Sequence, residues 1–256
     1  MVAHALFIAV TAVIAGGLAA LLVATPARWL ADDADLTALT GSRAFRPSLL
    51  ILAAVALAAV AAALFPIDQA IPHPPEWTAH APGSGTTLTP PHPTGIDFAL
   101  TSLSLGAGAA ATPVLLVTDL LIRRLPDRIV YPLIALLGAA FITGILVGNS
   151  TLWWFALLGA IVGILLFGAI HLVGRLVRKP TMGLGDVKLA FVVAGVSGLF
   201  SPWAPLVVLL FSVLIAGVWA LIAGLRAHDL KATTIPFGPA MLSGLWLGSV
   251  GAPFVL

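Results

Sequence analysis

Two aspartates, Asp119 and Asp186, are the residues of this sequence best suited to chemistry, because each adjoins a long apolar stretch. An aspartate inside a membrane helix costs about 2.5 to 3.5 kcal/mol, so such residues are functional candidates. Two carboxyl groups facing one water molecule can hydrolyse an amide. The ionised group takes a proton from water, while the protonated group polarises the carbonyl and later protonates the leaving amine. Close carboxylates share one proton, and this chemistry needs no metal or cofactor.

Asp186 belongs to the run G-L-G-D-V-K-L at residues 183–189. The apolar stretch that follows, residues 187–200, gives about 21 Å of helix against about 30 Å of hydrocarbon. To span a membrane it must draw the preceding residues inward, where non-helical backbone needs protein or water around it. We therefore expect a hydrated turn, with Gly183 and Gly185 supplying positive φ and a close backbone approach.

The two aspartates differ in how far a purely structural role explains them. Asp186 directly precedes an apolar helix and could serve only to cap its N-terminus. Asp119 lies at the C-terminal end of its helix, where the macrodipole disfavours an anion by a few tenths to about 1 kcal/mol. Arg123 and Arg124 can offset that penalty.

The composition places the chain among polytopic membrane proteins, since 60% of its 256 residues are hydrophobic and 9% are charged. The predicted fold is all-α, a membrane bundle of about eight transmembrane helices. The apolar segments lie at roughly residues 3–24, 48–65, 98–118, 129–148, 152–174, 187–200, 203–224 and 237–256.

Basic residues orient the bundle. All 12 Lys and Arg fall in or beside loops on one face, which the positive-inside rule places in the cytoplasm, with both termini external. This topology explains the net charge of +2, and no feature supports a nucleic-acid partner. The basic residues are Arg28, Arg43, Arg46, Arg123, Arg124, Arg128, Arg175, Arg178, Lys179, Lys188, Arg226 and Lys231.

The chain divides into three segments. Residues 1–65 form two helices of unknown role, residues 66–97 a Pro-rich external linker, and residues 98–256 a six-helix catalytic part. The linker holds His73, His80 and His92, whose spacing matches no metal-ligand pattern. The absence of cysteine excludes thiol catalysis and cysteine-ligated zinc, so we expect no metal site.

The C-terminal part of the chain contains three motifs. They are D-L-L-I-R-R-L-P-D beginning at Asp119, G-L-G-D-V-K-L at residues 183–189, and I-P-F-G-P-A at residues 235–240. In this combination the chain resembles the prepilin peptidases, polytopic aspartic proteases that mature type IV pilins and pseudopilins. The resemblance covers roughly residues 98–256 and implies that Asp119 and Asp186 are catalytic, with Gly183, Gly185 and Lys188 supporting the active-site turn.

The resemblance also implies a substrate and a location. The substrate would be a pilin-like precursor with a short basic leader ending in Gly, cut just before its hydrophobic helix at the cytoplasmic face of the plasma or inner membrane. Larger members carry a paired-cysteine domain and also methylate the new N-terminus. Because this chain has no cysteine, we expect a protease without methyltransferase activity.

Substrate contacts are expected from two further regions. Pro236 and Gly238 can form a wall of a pocket at the level of the aspartates. The basic loops would repel a basic leader, so we hypothesise that acidic residues receive it, although a solvated connector is the usual role of such a loop. The acidic residues are Asp32, Asp33, Asp35 and Asp229.

Three other interpretations remain open. An ion- or proton-coupled transporter could use the same two aspartates, although it would usually carry its charge near mid-membrane and show a repeat. An intramembrane protease of the presenilin type shares G-x-G-D but usually pairs it with Tyr-Asp, and the sole tyrosine here is Tyr131. The third is an inactive structural relative. The oligomeric state has no signature in the sequence.

Overall fold

A computed structural model describes residues 2–30, 32–66, 79–80, 87–88, 93–148, 151–177, 182–227 and 236–255. Ten α-helices account for most of these residues, and one antiparallel pair of two-residue strands, β1 (Ala79–His80) and β2 (Thr87–Leu88), lies within the expected linker. The helices are α1 (Val2–Ala24), α2 (Pro26–Trp29), α3 (Asp33–Thr40), α4 (Pro47–Ala63), α5 (Gly95–Ile122), α6 (Asp127–Val147), α7 (Leu152–Leu176), α8 (Leu184–Gly198), α9 (Ala204–Ala227) and α10 (Gly238–Val255).

The predicted helical architecture is confirmed. In the described part of the chain, five helices are long and apolar enough to span a membrane, namely α1, α5, α6, α7 and α9. Helix α4 is apolar but shorter. The count of eight spans, the external termini and the division of the chain at residues 65 and 97 stay predictions.

The segment between α1 and α4 is more ordered than the predicted solvated connector. It contains two short helices, α2 and α3, each with a local start signal. Helix α2 begins with a proline in its first turn, and α3 begins because Asp32 Oδ1 accepts a hydrogen bond from the N–H of Ala34 at 2.9 Å. Helix α3 packs against α5, so the acidic segment is part of the bundle.

Helix α5 is central to the bundle and packs against α1, α4, α6, α8 and α10. In its most apolar 18-residue stretch, 72% of the residues are buried, whereas only 11% are buried in the corresponding stretch of α9. Its middle consists of small residues, from Gly106 to Ala111, which let other helices approach closely. A Cβ added at Gly106 would lie only 2.8 Å from Ile14 Cγ2 of α1. Small side chains therefore place α5 where it contacts most of the fold.

A buried aspartate, Asp97, fixes the end of α5 that lies opposite Asp119. Its Oδ2 accepts hydrogen bonds from the backbone N–H and the hydroxyl of Thr94, at 2.7 and 2.8 Å, which completes a capping box. Trp153 Nε1 donates to Asp97 Oδ1 at 2.6 Å. This carboxylate thus ties the start of α5 to the first turn of α7.

Candidate active site

Asp119 lies in the last turn of α5 and faces the interior of the bundle. Its side chain is 5% exposed. Its Oδ2 is buried without a hydrogen-bond partner among the described residues. Buried carboxylate oxygens nearly always have a partner, so an unpaired one indicates a place where water or a substrate group binds.

The backbone turns sharply just after Asp119. Helix α5 ends at Ile122. The next residue, Arg123, caps the helix with a left-handed φ of 53°, and its N–H donates to the carbonyl of Asp119 at 3.1 Å. A left-handed arginine is uncommon, because its Cβ crowds the backbone at a penalty of about 1 to 2 kcal/mol. The turn directs the chain into a short loop, residues 123–126, that leads to α6.

Asp186 lies in the first turn of α8 and is partly exposed. The expected positive φ is wrong, and the non-helical backbone expected around Asp186 is present only as far as Gly183. Gly183 is the N-cap with an extended φ of −73°, and the helix already begins at Leu184. The Asp186 carboxylate reaches back to the backbone N–H of Gly183, so it also stabilises the helix start. Gly185 is needed for close packing, because a Cβ there would lie 3.3 Å from Leu125 Cβ.

The two carboxyl groups belong to one site. Asp119 and Asp186 lie close enough for their charges to interact, and Leu125 in the loop after α5 lies beside Gly185, the neighbour of Asp186. The Asp119 carboxyl group is buried, and the Asp186 carboxyl group is partly exposed. Such an arrangement suits hydrolysis by a pair of carboxyl groups.

Two polar contacts hold the start of α8 in place. Lys188 Nζ lies 2.6 Å from Asp127 Oδ1 at the start of α6, and 4.4 Å from the ring centre of Tyr131. On the other side, His171 Nδ1 of α7 contacts the carbonyl of Met182 at 2.8 Å. The predicted support from Lys188 therefore has a specific partner. Asp127, Tyr131 and His171 were not predicted as parts of the site.

Gly238 forms the wall of the site opposite α8. A Cβ added to it would lie 2.6 Å from Asp119 Oδ2, so only glycine fits beside this carboxylate. Its backbone amide faces the carboxylate without completing a hydrogen bond to Oδ2. Pro236 lies two residues before α10, and the intervening Phe237 packs on Phe167 of α7 with ring centres 6.0 Å apart.

The predicted leader-binding aspartates lie in different settings. Asp35 forms an ion pair with Arg124 at 3.5 Å, next to the loop that leaves Asp119, while Asp32 caps α3. The side chain of Asp33 and the whole of Asp229 lie outside the described residues, as do His73, His92 and the side chain of His80. Their predicted roles stay predictions.

One comparison with known proteins finds a match. Residues 107–225 match the model of the type IV leader peptidase family, and this range contains both aspartates. No curated protein and no solved structure matches the chain. The family match supports an aspartic-type protease and gives no support to the transporter interpretation. Residues 107–225, which carry both aspartates, are therefore similar to the type IV leader peptidase family.

Proposed function

We propose that this protein is an aspartic endopeptidase that removes the leader of type IV prepilin-like precursors at the cytoplasmic face of the cell membrane. The proposal depends on one observation: Asp119 in the last turn of α5 lies close enough to Asp186 in the first turn of α8 for their charges to interact. Both residues lie within the segment that matches the leader peptidase family.

The reaction is the hydrolysis of one peptide bond. One carboxylate removes a proton from water, whose oxygen then attacks the carbonyl carbon, while the other carboxyl group donates a hydrogen bond to the carbonyl oxygen. The tetrahedral intermediate collapses when the C–N bond breaks and the amine leaves with a proton from a carboxyl group. The pair ends with the one proton it held at the start.

The enclosed surroundings of Asp119 favour this mechanism over hydrolysis in open water. Oδ2 has no partner among the described residues, so it can accept a hydrogen bond from the attacking water without first giving one up. The backbone of Gly238 lies directly beside it and leaves no space there for a further side chain.

The leader would approach over the cytoplasmic end of α5. There Asp35 and its partner Arg124 lie beside the loop that follows Asp119, and α3 packs against α5. The N-terminal helices thus contribute to this end of the bundle. We expect no methyltransferase activity, because the chain contains no cysteine with which to build the paired-cysteine domain of larger relatives.

The test uses a single-span reporter with a basic leader ending in Gly, an apolar helix and a C-terminal tag, co-expressed with wild type, Asp119→Asn or Asp186→Asn. Each substitution keeps the size of the side chain and removes its ability to hold and release a proton. Cleavage should fall by about a hundredfold or more for both variants, since general acid-base catalysis contributes about 10²- to 10⁴-fold. Wild-type levels in the membrane fraction exclude failed insertion. Unchanged cleavage by either variant would remove that residue from the mechanism.

A further inference from the structure

An apolar groove runs between α4, α5 and α10 on the outside of the bundle. Its volume is about 570 Å³. Helix α4 contributes Ala53 and Leu57, α5 contributes Thr112 and Leu116, and α10 contributes Leu242 and Trp246. The candidate active site does not use these side chains, so the groove needs an explanation of its own.

The groove lies on helix faces that it shares with Asp119 and Gly238. On α5, Thr112, Leu116 and Asp119 follow one another at helical spacings of four and three, so they share one face. At 1.5 Å per residue, Thr112 lies about 10 Å from Asp119 along the helix. On α10, Leu242 and Trp246 lie on the face of Gly238, which contacts Asp119. Both walls therefore continue from the groove into the active site.

Two polar side chains of the groove, Thr112 and Trp246, are already paired within the protein. Trp246 Nε1 donates to Thr112 Oγ1 at 2.9 Å, and Thr112 Oγ1 in turn donates to the carbonyl of Gly108 at 2.8 Å. An extended peptide would find no hydrogen-bond partner at these two side chains. An occupant at this depth must satisfy its own backbone, and an α-helix does so.

We propose that the first turns of the substrate's transmembrane helix lie in this groove, between α4 and α10. The inference rests on the proposed function, in which cleavage occurs just before an apolar helix. A helix that continues from Asp119 into the bilayer follows the path along which the groove runs. It also gives α4 a role in binding substrate.

Two alanines of α4 provide a matched test. Ala53 and Ala56 are both exposed, but Ala53 lines the groove and Ala56 does not. Ala53→Trp fills the groove and should slow cleavage of the single-span reporter at least tenfold. Ala56→Trp adds the same bulk elsewhere on the helix and should stay within twofold of wild type. Equal rates for the two variants would overturn the docking inference.

Cross-linking measures the occupant directly, because the natural chain contains no cysteine. In the Asp119→Asn background, which retains the substrate, Ser243→Cys in the groove should form a disulfide with a cysteine in the second turn of the reporter helix. Leu210→Cys on α9, an exposed position, is the control and should not. Equal cross-linking yields at the two positions would refute the inference. Slowed cleavage by Ala53→Trp without cross-linking would also refute it, and would indicate that a lipid chain occupies the groove.

The two proposals fail in different ways. If wild type leaves the reporter uncut, the proposed function fails and the docking inference falls with it. If wild type and Ala53→Trp cut the reporter equally well, the proposed function stands and only the groove loses its role.

Discussion

The ammonium group of Lys188 lies 2.6 Å from the carboxylate of Asp127. Lys188 lies two residues after Asp186 at the start of α8, and Asp127 begins α6 directly after the loop that follows α5. This ion pair therefore joins the two chain segments that carry the carboxyl pair. Its expected role is to keep the two aspartates at a fixed separation.

Breaking this ion pair should slow cleavage without abolishing it. Lys188→Met and Asp127→Asn should each reduce the rate about fivefold, since partly exposed pairs contribute up to about 1 kcal/mol. The double variant should be no slower than either single variant, because both remove the same interaction. Arg43→Met, which removes an exposed cation before α4, is the control and should cut normally. Losses that simply multiply in the double variant would contradict the pairing.

Gly185 should tolerate alanine less well than Gly183. An added Cβ would lie 3.3 Å from Leu125 Cβ at Gly185, whereas the nearest atom at Gly183, Asp186 Oδ2, would lie at 3.6 Å. Gly185→Ala should displace the start of α8 and slow cleavage about threefold, while Gly183→Ala should stay near wild type. Adding Leu125→Ala to Gly185→Ala should recover part of the rate. If the second substitution slows the enzyme further, steric contact is not the cause.

Gly238→Ala should slow cleavage more than Gly185→Ala does. Its Cβ would lie 2.6 Å from Asp119 Oδ2, so either the carboxylate or the start of α10 must move. We expect cleavage to fall more than about tenfold, because small displacements of catalytic groups strongly affect the rate. Gly217→Ala on α9 meets nothing within 4 Å and is the matched control. Normal cleavage by Gly238→Ala would show that substrate binding does not require this close contact.

The sequence allowed both aspartates and the helical bundle to be predicted, because each depends on local properties. Asp119 and Asp186 lie at the ends of apolar segments, and the basic loops place those ends on one side. The partners of Lys188 could not be found in this way, since Asp127 and Tyr131 are distant in sequence and meet it only after α6 packs against α8.

Two local signals in the sequence mark the starts of helices. Thr94 and Asp97 have the three-residue spacing of a capping box, which indicates that α5 begins at Gly95 and not near residue 98. Asp32 before α3 is a similar N-cap signal. The backbone of the G-L-G-D run was predicted wrongly for a different reason. Its glycines suggested a backbone with positive φ. The structure instead places Gly185 tightly against Leu125, where the absence of a side chain allows the close approach.

Loss of the Asp97 carboxylate should destabilise the protein without acting on the catalytic pair. Asp97→Ala leaves the indole N–H of Trp153 and the donors of Thr94 without their acceptor in a buried place. We expect a loss of about 3 kcal/mol, which corresponds to roughly 6 to 12 °C in Tm for a protein of this size. Thermal unfolding in detergent measures it. Trp153→Phe, which removes one donor and keeps the acceptor, should have a smaller effect, and equal effects would contradict this account.

The acidic segment should act on leader binding through the ion pair of Asp35 with Arg124, whose side chains are 24% and 72% exposed. Asp35→Asn should raise the KM for a basic-leader reporter about twofold, because one attractive charge is lost. Arg124→Gln should lower it by a similar factor, because the carboxylate then becomes available to the leader. A reporter whose leader lysines are replaced by glutamine should respond to neither variant. KM changes in the same direction for both would mean that the pair stabilises α3 and does not compete with the leader.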